Sequence, residues 1–301
     1  MKKWIVAIRA PFFTAAIAPA VVGVAVAFYE GYAVNWWHAI IALVGLMAIH
    51  GGTNLANDYF DHRSKNDWVN KTPTPFSGGS RVIQQGALSP RAVLIYALAC
   101  FAVGIVCGLY LWRVTPGNVV LWLGIVGVAS GFLYTALPIA IGYRGIGEFF
   151  VGLNFGPLAV LGAHYVQAGT LSPAALMASI PVGLLIAAVL YINEFPDYEA
   201  DRQVNKRTLI VIFGPERSRY GYIAIIALTY AAIAAFVAIA GLPAWALLGL
   251  LTLPLAVKAS AVLMRHYGEP YKLIPANGLT IVIHFATGLL VAVGLALGRV
   301  I

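Results

Sequence analysis

A chain of 301 residues with 61% hydrophobic and only 10% charged side chains is too apolar for a water-soluble domain, which carries about 25% charged residues. Its mean hydropathy of +0.86 points the same way, to an integral membrane protein. The net charge of +8 raises the question of nucleic acid, but no nucleic-acid motif accompanies it, and membrane topology accounts for the charge as set out below.

A membrane-spanning helix takes about 20 mostly apolar residues. Along the chain nine segments qualify: 10–29, 37–57, 91–112, 118–137, 145–166, 174–195, 219–240, 243–264 and 275–298. The apolar runs are continuous, without the period-2 alternation of barrel strands, so helices are expected. The expected fold class is all-α, a polytopic membrane protein with a bundle of nine transmembrane helices. No polar linker divides it, and residues 1–301 read as a single transmembrane domain. Met1-Lys2-Lys3 ahead of an apolar run resembles a signal peptide, but Arg9 interrupts the run and further spans follow, so a retained first helix is expected. Cys100 and Cys107, in one apolar segment, read as packing thiols.

If the spans alternate from a cytoplasmic N-terminus, 17 of the 19 Lys and Arg residues collect in the cytoplasm, leaving Arg113 and Arg299 outside. That bias supports both the count and the orientation. The two long connections, 58–90 and 197–218, then lie on the cytoplasmic side, where they are expected to form a cap over the active site. Each begins with an Asn/Asp cluster, so spans two to four and six to eight look loosely alike and hint at an internal pseudo-repeat.

All five aspartates of the chain lie in these clusters, Asp58, Asp61 and Asp67 in the first and Asp197 and Asp201 in the second. Helical spacing stacks Asn57 with Asp61, and Asn193 with Asp197 and Asp201. Asp58 and Glu199 point elsewhere, and Asp67 has to curl back beyond the helix end. Two facing but incomplete sets of hard oxygen ligands suit Mg2+ when a substrate diphosphate supplies the remaining ligands. Arg63, Lys65, Lys71 and Arg81 follow the first cluster, and Arg202, Lys206 and Arg207 the second. Such cations engage phosphate oxygens and, with a metal, would stabilise a departing diphosphate. One cluster alone reads equally well as a solvated helix flank; two on one side, holding every Asp, weigh against that.

Phe76-Ser-Gly-Gly-Ser80 offers a short phosphate cradle, though a loop turn is the simpler reading. His50, His164 and His284 lie in or at the ends of spans without metal-ligand spacing and read as hydrogen-bonded packing groups.

Asn57-Asp58-Tyr59-Phe60-Asp61 and Asp197-Tyr198-Glu199-Ala200-Asp201 resemble the two hallmark motifs of the UbiA superfamily of intramembrane aromatic prenyltransferases, and the resemblance extends over nearly the whole chain. The menaquinone-type branch, the 1,4-dihydroxy-2-naphthoate polyprenyltransferases, is the most similar. Its features are Asn54-Leu-Ala-Asn-Asp-Tyr-Phe-Asp61 with the next Asp at 67, Leu133-Tyr-Thr-Ala-Leu-Pro138, Gly142-Tyr-Arg-Gly-Ile-Gly-Glu148, Ala163-His-Tyr-Val-Gln-Ala-Gly-Thr170 and Lys206-Arg-Thr-Leu209. Where that branch has Asn-Asn-Leu-Arg-Asp, this chain reads Asn193-Glu-Phe-Pro-Asp197.

The resemblance implies Mg2+-dependent transfer of a polyprenyl group from an allylic polyprenyl diphosphate to a small aromatic acceptor, nearest to 1,4-dihydroxy-2-naphthoate in menaquinone biosynthesis, in a prokaryotic cell membrane. It implies metal ligands at Asn57, Asp58, Asp61, Asp67, Asn193, Asp197 and Asp201, with Asp61, Asp197, Asp201 and Lys206 catalytic. Diphosphate contacts are implied for Arg63, Lys65, Lys71, Arg81, Lys206 and Arg207, and acceptor or prenyl contacts for Tyr134, Arg144 and Glu194. Arg9, ahead of Ala10-Pro11, resembles the family's first-helix start, with a topology charge as the competing reading.

Other acceptors stay open: 4-hydroxybenzoate, homogentisate, haem, chlorophyllide or a glycerol-phosphate lipid. A transporter with a carboxylate-lined site is a different class of answer, but its ion sites lie near the bilayer midplane and not at helix ends. A CDP-alcohol phosphotransferase also pairs Asp motifs, but on neighbouring helices.

Overall fold

The computed structural model describes residues 2–301, and its regular elements are helices. A short α1 (Lys2–Ala7) leads through a 3-10 turn (Ala10–Phe13) into α2 (Thr14–Tyr29). Next come α3 (Trp36–Arg63), the one-turn α4 (Asn66–Val69), α5 (Pro90–Val114) and α6 (Val119–Leu133). A π-helical turn (Asn154–Leu158) joins α7 (Gly147–Leu153) to α8 (Ala159–Ala168). After α9 (Pro173–Asn193) and two short pieces, α10 (Tyr198–Gln203) and α11 (Leu209–Phe213), the chain forms α12 (Pro215–Ala240). It ends with α13 (Leu253–His266), preceded by a 3-10 stretch (Ala244–Thr252), and α14 (Pro270–Val300).

The start signals are local. The side chains of Asn35, Ser89, Ser172 and Thr208 accept from backbone N–H groups three residues on, and Pro90, Pro173, Pro215 and Pro270 occupy first-turn positions where a missing N–H is harmless.

Eight of these helical segments are long and apolar enough to cross a bilayer. The ninth apolar helix, α6, has 15 residues and stops at Leu133, short of the expected 137. A turn-rich segment follows it, with the Gly142 N–H returning to the Tyr134 carbonyl at 2.8 Å. Alternation is visible in the contacts at the end of the bundle remote from the aspartates. There Tyr29 reaches the Gly241 carbonyl, Asn35 N–H donates to Gln167, and the Tyr165 hydroxyl donates to the Pro116 carbonyl.

Two departures from the expected boundaries position the site. α3 runs to Arg63, past the expected end at 57, so Asn57, Asp58 and Asp61 stand on an ordered helix. α9 stops at Asn193, and the chain turns through Glu194–Asp197 before α10, as Pro196 cannot continue a helix. α9 is the most enclosed span, with 72% of its apolar window buried. Close backbone approach puts it against the α7–α8 rod: a Cβ on Gly156 would come within 2.7 Å of the Gly183 Cα. Small residues at such a seam replace the hydrophobic drive that lipid does not supply between helices.

Candidate active site

The two aspartate clusters meet at one end of the bundle. From α4, Asn66 Nδ2 donates to Asp201 Oδ1 at 2.8 Å, and from its C-cap, Asn70 Nδ2 donates to Asp197 Oδ1 at 2.7 Å. The Gly78 N–H donates to Asp197 Oδ2 at 3.0 Å, and Thr72 Oγ1 to the Pro196 carbonyl. Lys206 joins the clusters electrostatically, its Nζ lying 3.3 Å from Asp61 Oδ2 and 3.6 Å from Asp201 Oδ1. Tyr143 supports the pair: its hydroxyl donates to Asp61 Oδ1 at 2.6 Å, and its ring lies 5.4 Å beneath the Lys206 ammonium.

The backbone is bent to reach this arrangement. Arg9, Lys65 and Arg81, basic residues around the first cluster, all have positive φ, a conformation non-glycine residues rarely adopt outside functional sites. Gly78 and Gly79 also have positive φ, and a Cβ would lie 2.7 Å from Asn70 Nδ2 in one case and 2.9 Å from an Asp67 oxygen in the other. The double glycine is therefore a close-approach element against Asn70 and Asp67 as well as a turn.

Below this polar head lies a cavity of about 320 Å3. Asn57, Asn193, Glu194, Asp197, Asp201 and Lys206 line its head. Its body is apolar, between Leu46, Ile49, Leu123, Leu158, Val166 and Ile186, and runs to Leu111 and Val120 near the opposite end of α5 and α6. The π turn at Asn154–Leu158 sets Asn154 and Phe155 on the wall, a use of π-bulges common at functional sites.

The donor set fits a hard divalent cation. Asn57 Oδ1, Glu194 Oε2 and Asp201 Oδ2 are buried without a hydrogen-bond partner, and all three residues line the cavity head. Buried oxygen acceptors left unpaired are costly, and a cation is the group that satisfies several at once. Burial foremost, with Asp61 and Asp58 adding, pushes Asp67 up to about 8. Burial likewise pushes Asp201 up to about 7 against the opposing pull of Lys206, and burial with Glu148 raises Glu194 well above the carboxylate range. Burial disfavours the Lys206 ammonium, yet Asp201 and Asp61 outweigh it and raise its pKa. Among the described residues no three His, Cys, Asp or Glu side chains converge as a metal site.

The remaining residues singled out from the sequence fall into two groups. Asp67 is buried outside the cavity lining, with Gln84 Nε2 donating to its carboxylate at 3.1 Å. Asn193 accepts from Asn277 Nδ2 at 2.7 Å, and Tyr134 lines the cavity. Asp58 is engaged by Arg9 in an ion pair and by the Ser80 hydroxyl and N–H, so its oxygens are occupied. The Arg81 guanidinium is turned to the Asp67 backbone carbonyl and not to the cavity. Arg63, Lys65, Lys71 and Arg207 are exposed and line no part of it; Arg63 lies 6.0 Å over the Tyr59 ring. Arg144 is also outside, folded onto the carbonyls of Pro138 and Ile139.

Several functional positions had no role in the sequence reading. Asn66 and Asn70 carry a signal that was available, a four-residue spacing just after the first motif, which puts both amides on one side of α4. Tyr143 and Ser80 had none, because their partners come from distant segments. The Arg9 guanidinium pairs with Asp58, and the residue lines the cavity.

The comparisons agree with this geometry. Residues 16–281 match the model of the UbiA prenyltransferase family. A 1,4-dihydroxy-2-naphthoate octaprenyltransferase from Mycobacterium tuberculosis is 33% identical over 300 residues, covering 99% of this chain and 98% of its own. The apo structure of a UbiA homolog from Aeropyrum pernix K1 superposes with a TM-score of 0.70 at 17% identity, covering 95% of this chain and 97% of its own. A UbiA homolog from Archaeoglobus fulgidus bound to GPP and Mg2+ gives 0.60 at 16% identity, with coverages of 97% and 99%. At such identities the two structures speak to the fold alone. With the family match spanning most of a bundle whose aspartate motifs meet above an apolar cavity, the chain belongs to the UbiA prenyltransferase family and is a prenyltransferase.

Proposed function

We propose that the protein transfers a polyprenyl group from an allylic polyprenyl diphosphate to 1,4-dihydroxy-2-naphthoate, with Mg2+ as cofactor and the motif end in the cytoplasm. The observation that carries the reading is the set of unpartnered oxygens of Asn57, Glu194 and Asp201 beside Lys206, at the head of an apolar cavity. The 33% identity with the Mycobacterium tuberculosis protein supports the choice of acceptor, and the excess of Lys and Arg on the motif side supports the orientation. The loops 58–90 and 197–218, tied together by Asn66, Asn70 and Gly78, act as a cap over the site.

Asn57, Asp61, Asp67, Asp197 and Asp201 would hold Mg2+, with Glu194 beside them. When bound, the metal supplies Lewis-acid stabilisation of the diphosphate oxygens. Lys206, positioned by Asp61, Asp201 and Tyr143, supplies a fixed positive charge where negative charge builds on the leaving group. Asn66 orients Asp201, whose Oδ2 stays unpaired at the cavity head, and Asn70 with the Gly78 N–H holds Asp197. Arg9 and Ser80 hold Asp58 and with it the geometry of the last turns of α3.

The allylic carbon–oxygen bond breaks with both electrons leaving on the diphosphate, and the acceptor ring carbon attacks the resulting allylic cation. In the naphthoate the ring carboxylate is then lost as carbon dioxide. The apolar cavity wall keeps water from the cation and takes up the isoprenoid chain. The test is mass spectrometry of products after the purified protein is incubated with Mg2+, geranylgeranyl or longer diphosphates and a panel of acceptors. Prenylated, decarboxylated naphthoate is the expected product, and preference for another acceptor overturns the assignment.

A further inference from the structure

Tyr143 has a second side. Away from the cavity, the loop after α6 and the segment leading into α11 enclose a surface notch lined by Leu137, Pro138, Tyr143, Arg144, Arg207 and Ile212. The two segments are packed backbone against backbone. Gly145 has a φ of +72, and a Cβ there would lie 2.5 Å from Ile212 Cδ1 and 3.4 Å from the Arg207 carbonyl. The Arg207 N–H donates to the Tyr143 carbonyl at 3.1 Å.

Both charged residues of this notch are arginines. Arg144 Nη2 donates to the Pro138 carbonyl at 2.8 Å and its Nε to the Ile139 carbonyl, which fixes the guanidinium in place without neutralising it. The Arg207 side chain has no hydrogen-bond partner, and neither arginine forms an ion pair, among the described residues.

The surroundings are apolar and exposed. Leu137 is 73% exposed, Phe149 66% and Phe213 56%. Phe149 stands in the first turn of the span that begins at Gly147, and Phe213 ends the helix just before the span that begins at Pro215. The arginines therefore sit at headgroup level, with the apolar side chains at the edge of the hydrocarbon.

We propose that this notch binds the phosphate of an anionic phospholipid from the cytoplasmic leaflet, with Arg144 and Arg207 on the phosphate oxygens and the acyl chains along Leu137, Ile212 and Phe213. Guanidinium forks suit a phosphate group. A soluble phosphate would engage the same arginines but leave the apolar rim bare, which favours a lipid. The site is coupled to the reaction through Tyr143, which lines the notch while its hydroxyl holds Asp61 and its ring carries Lys206. A lipid seated on the outer side keeps Tyr143, and through it Asp61 and Lys206, in the arrangement described.

The test uses the full-length protein in nanodiscs of phosphatidylcholine with or without phosphatidylglycerol. Native mass spectrometry reads lipid retention, and prenyl transfer is measured in parallel. Wild type should retain phosphatidylglycerol in preference to phosphatidylcholine and turn over faster in its presence. Arg207→Gln, which breaks no side-chain hydrogen bond or ion pair among the described residues, should weaken retention by about tenfold and lose the lipid stimulation; Arg144→Gln should add to the loss. If Arg144→Gln disturbs the loop, seen as a lowered Tm, Arg207→Gln carries the test alone. Unchanged phosphatidylglycerol retention in Arg207→Gln overturns the proposal. So does displacement of the lipid by millimolar inorganic phosphate, which would mark a site for soluble anions.

Discussion

Each end of the bundle holds acidic groups, and the two ends treat them oppositely. At the far end the Glu30 carboxylate has a donor for each oxygen, His164 Nε2 at 2.7 Å on Oε2 and the Ser172 hydroxyl on Oε1. That cluster joins the ends of α2, α8 and α9 and stands outside the cavity lining. At the motif end, acceptors outnumber donors. Arg9 and Lys206 are the cations paired with the motif aspartates, while Asn57 Oδ1, Glu194 Oε2 and Asp201 Oδ2 stay unpaired. Carboxylate oxygens that each have a donor fasten helices; acceptors left unpaired beside a cavity are open to a ligand.

The largest effect should come from removing motif carboxylates. Asp61→Ala, Asp197→Ala and Asp201→Ala should each lower turnover by more than the roughly 100-fold that marks the loss of a strong outer-shell partner. The protein should still insert and purify. Near-normal product formation by any of the three would erase the contrast between the two ends.

Asn66→Ala and Asn70→Ala remove amides that orient Asp201 and Asp197 without entering the cavity lining. Each should reduce Mg2+ affinity by about 10–100-fold, read as a shifted Mg2+ dependence of activity. An unshifted titration would mean that the two loops do not brace the carboxylates.

The pH dependence sharpens the comparison further. Without metal, Asp67 is held at about 8 and Asp201 at about 7, both by burial above all, against an unfolded value of about 3.9. Between about pH 4 and 8 the folded state therefore keeps protons that the unfolded chain has released. The stability of the metal-free protein should fall as pH rises through that window. Mg2+ has to displace those protons, so its affinity should rise over the same interval. Thermal melts with and without Mg2+ and diphosphate at about pH 6 and pH 8.5 read both trends, and a metal-induced Tm shift that does not grow with pH contradicts them.

The smallest effect on activity is expected at the far end. Glu30→Gln leaves His164 Nε2 poorly matched and weakens the tie to Ser172, which should destabilise the fold by about 1–3 kcal/mol. Its Tm should drop while kcat and KM at lower temperature stay those of wild type. A large loss of kcat in a folded variant would give the far-end cluster a share in the reaction.

Much of the site was legible because it is built on short-range spacing. Asn57 and Asp61 are one helical turn apart, and that alone places both side chains on one face of α3. Asp197 and Asp201 are also paired, although not by a continuous α9: Asp197 caps α10 and its carbonyl accepts from the Asp201 N–H at 2.8 Å. The basic residues were less legible. Arg81, expected at phosphate, donates to one backbone carbonyl and Arg144, expected at the acceptor or prenyl group, to two, because loop carbonyls need donors.

The sequence by itself determined the membrane-spanning helical class, since continuous apolar runs of about 20 residues leave the chain few other folds in a bilayer. It determined the two oxygen-rich motifs, because these follow from residue type and order. Only the tertiary structure decided that Tyr143 and Lys206 join the motifs, that Asp58 belongs to Arg9 and Ser80, and that Arg144 and Arg207 face outward. The reason is distance along the chain. Each of the pairings that bring Tyr143, Lys206 and Arg9 to their aspartates joins residues from different helices or loops, and such contacts depend on how the helices pack, which local periodicity does not encode.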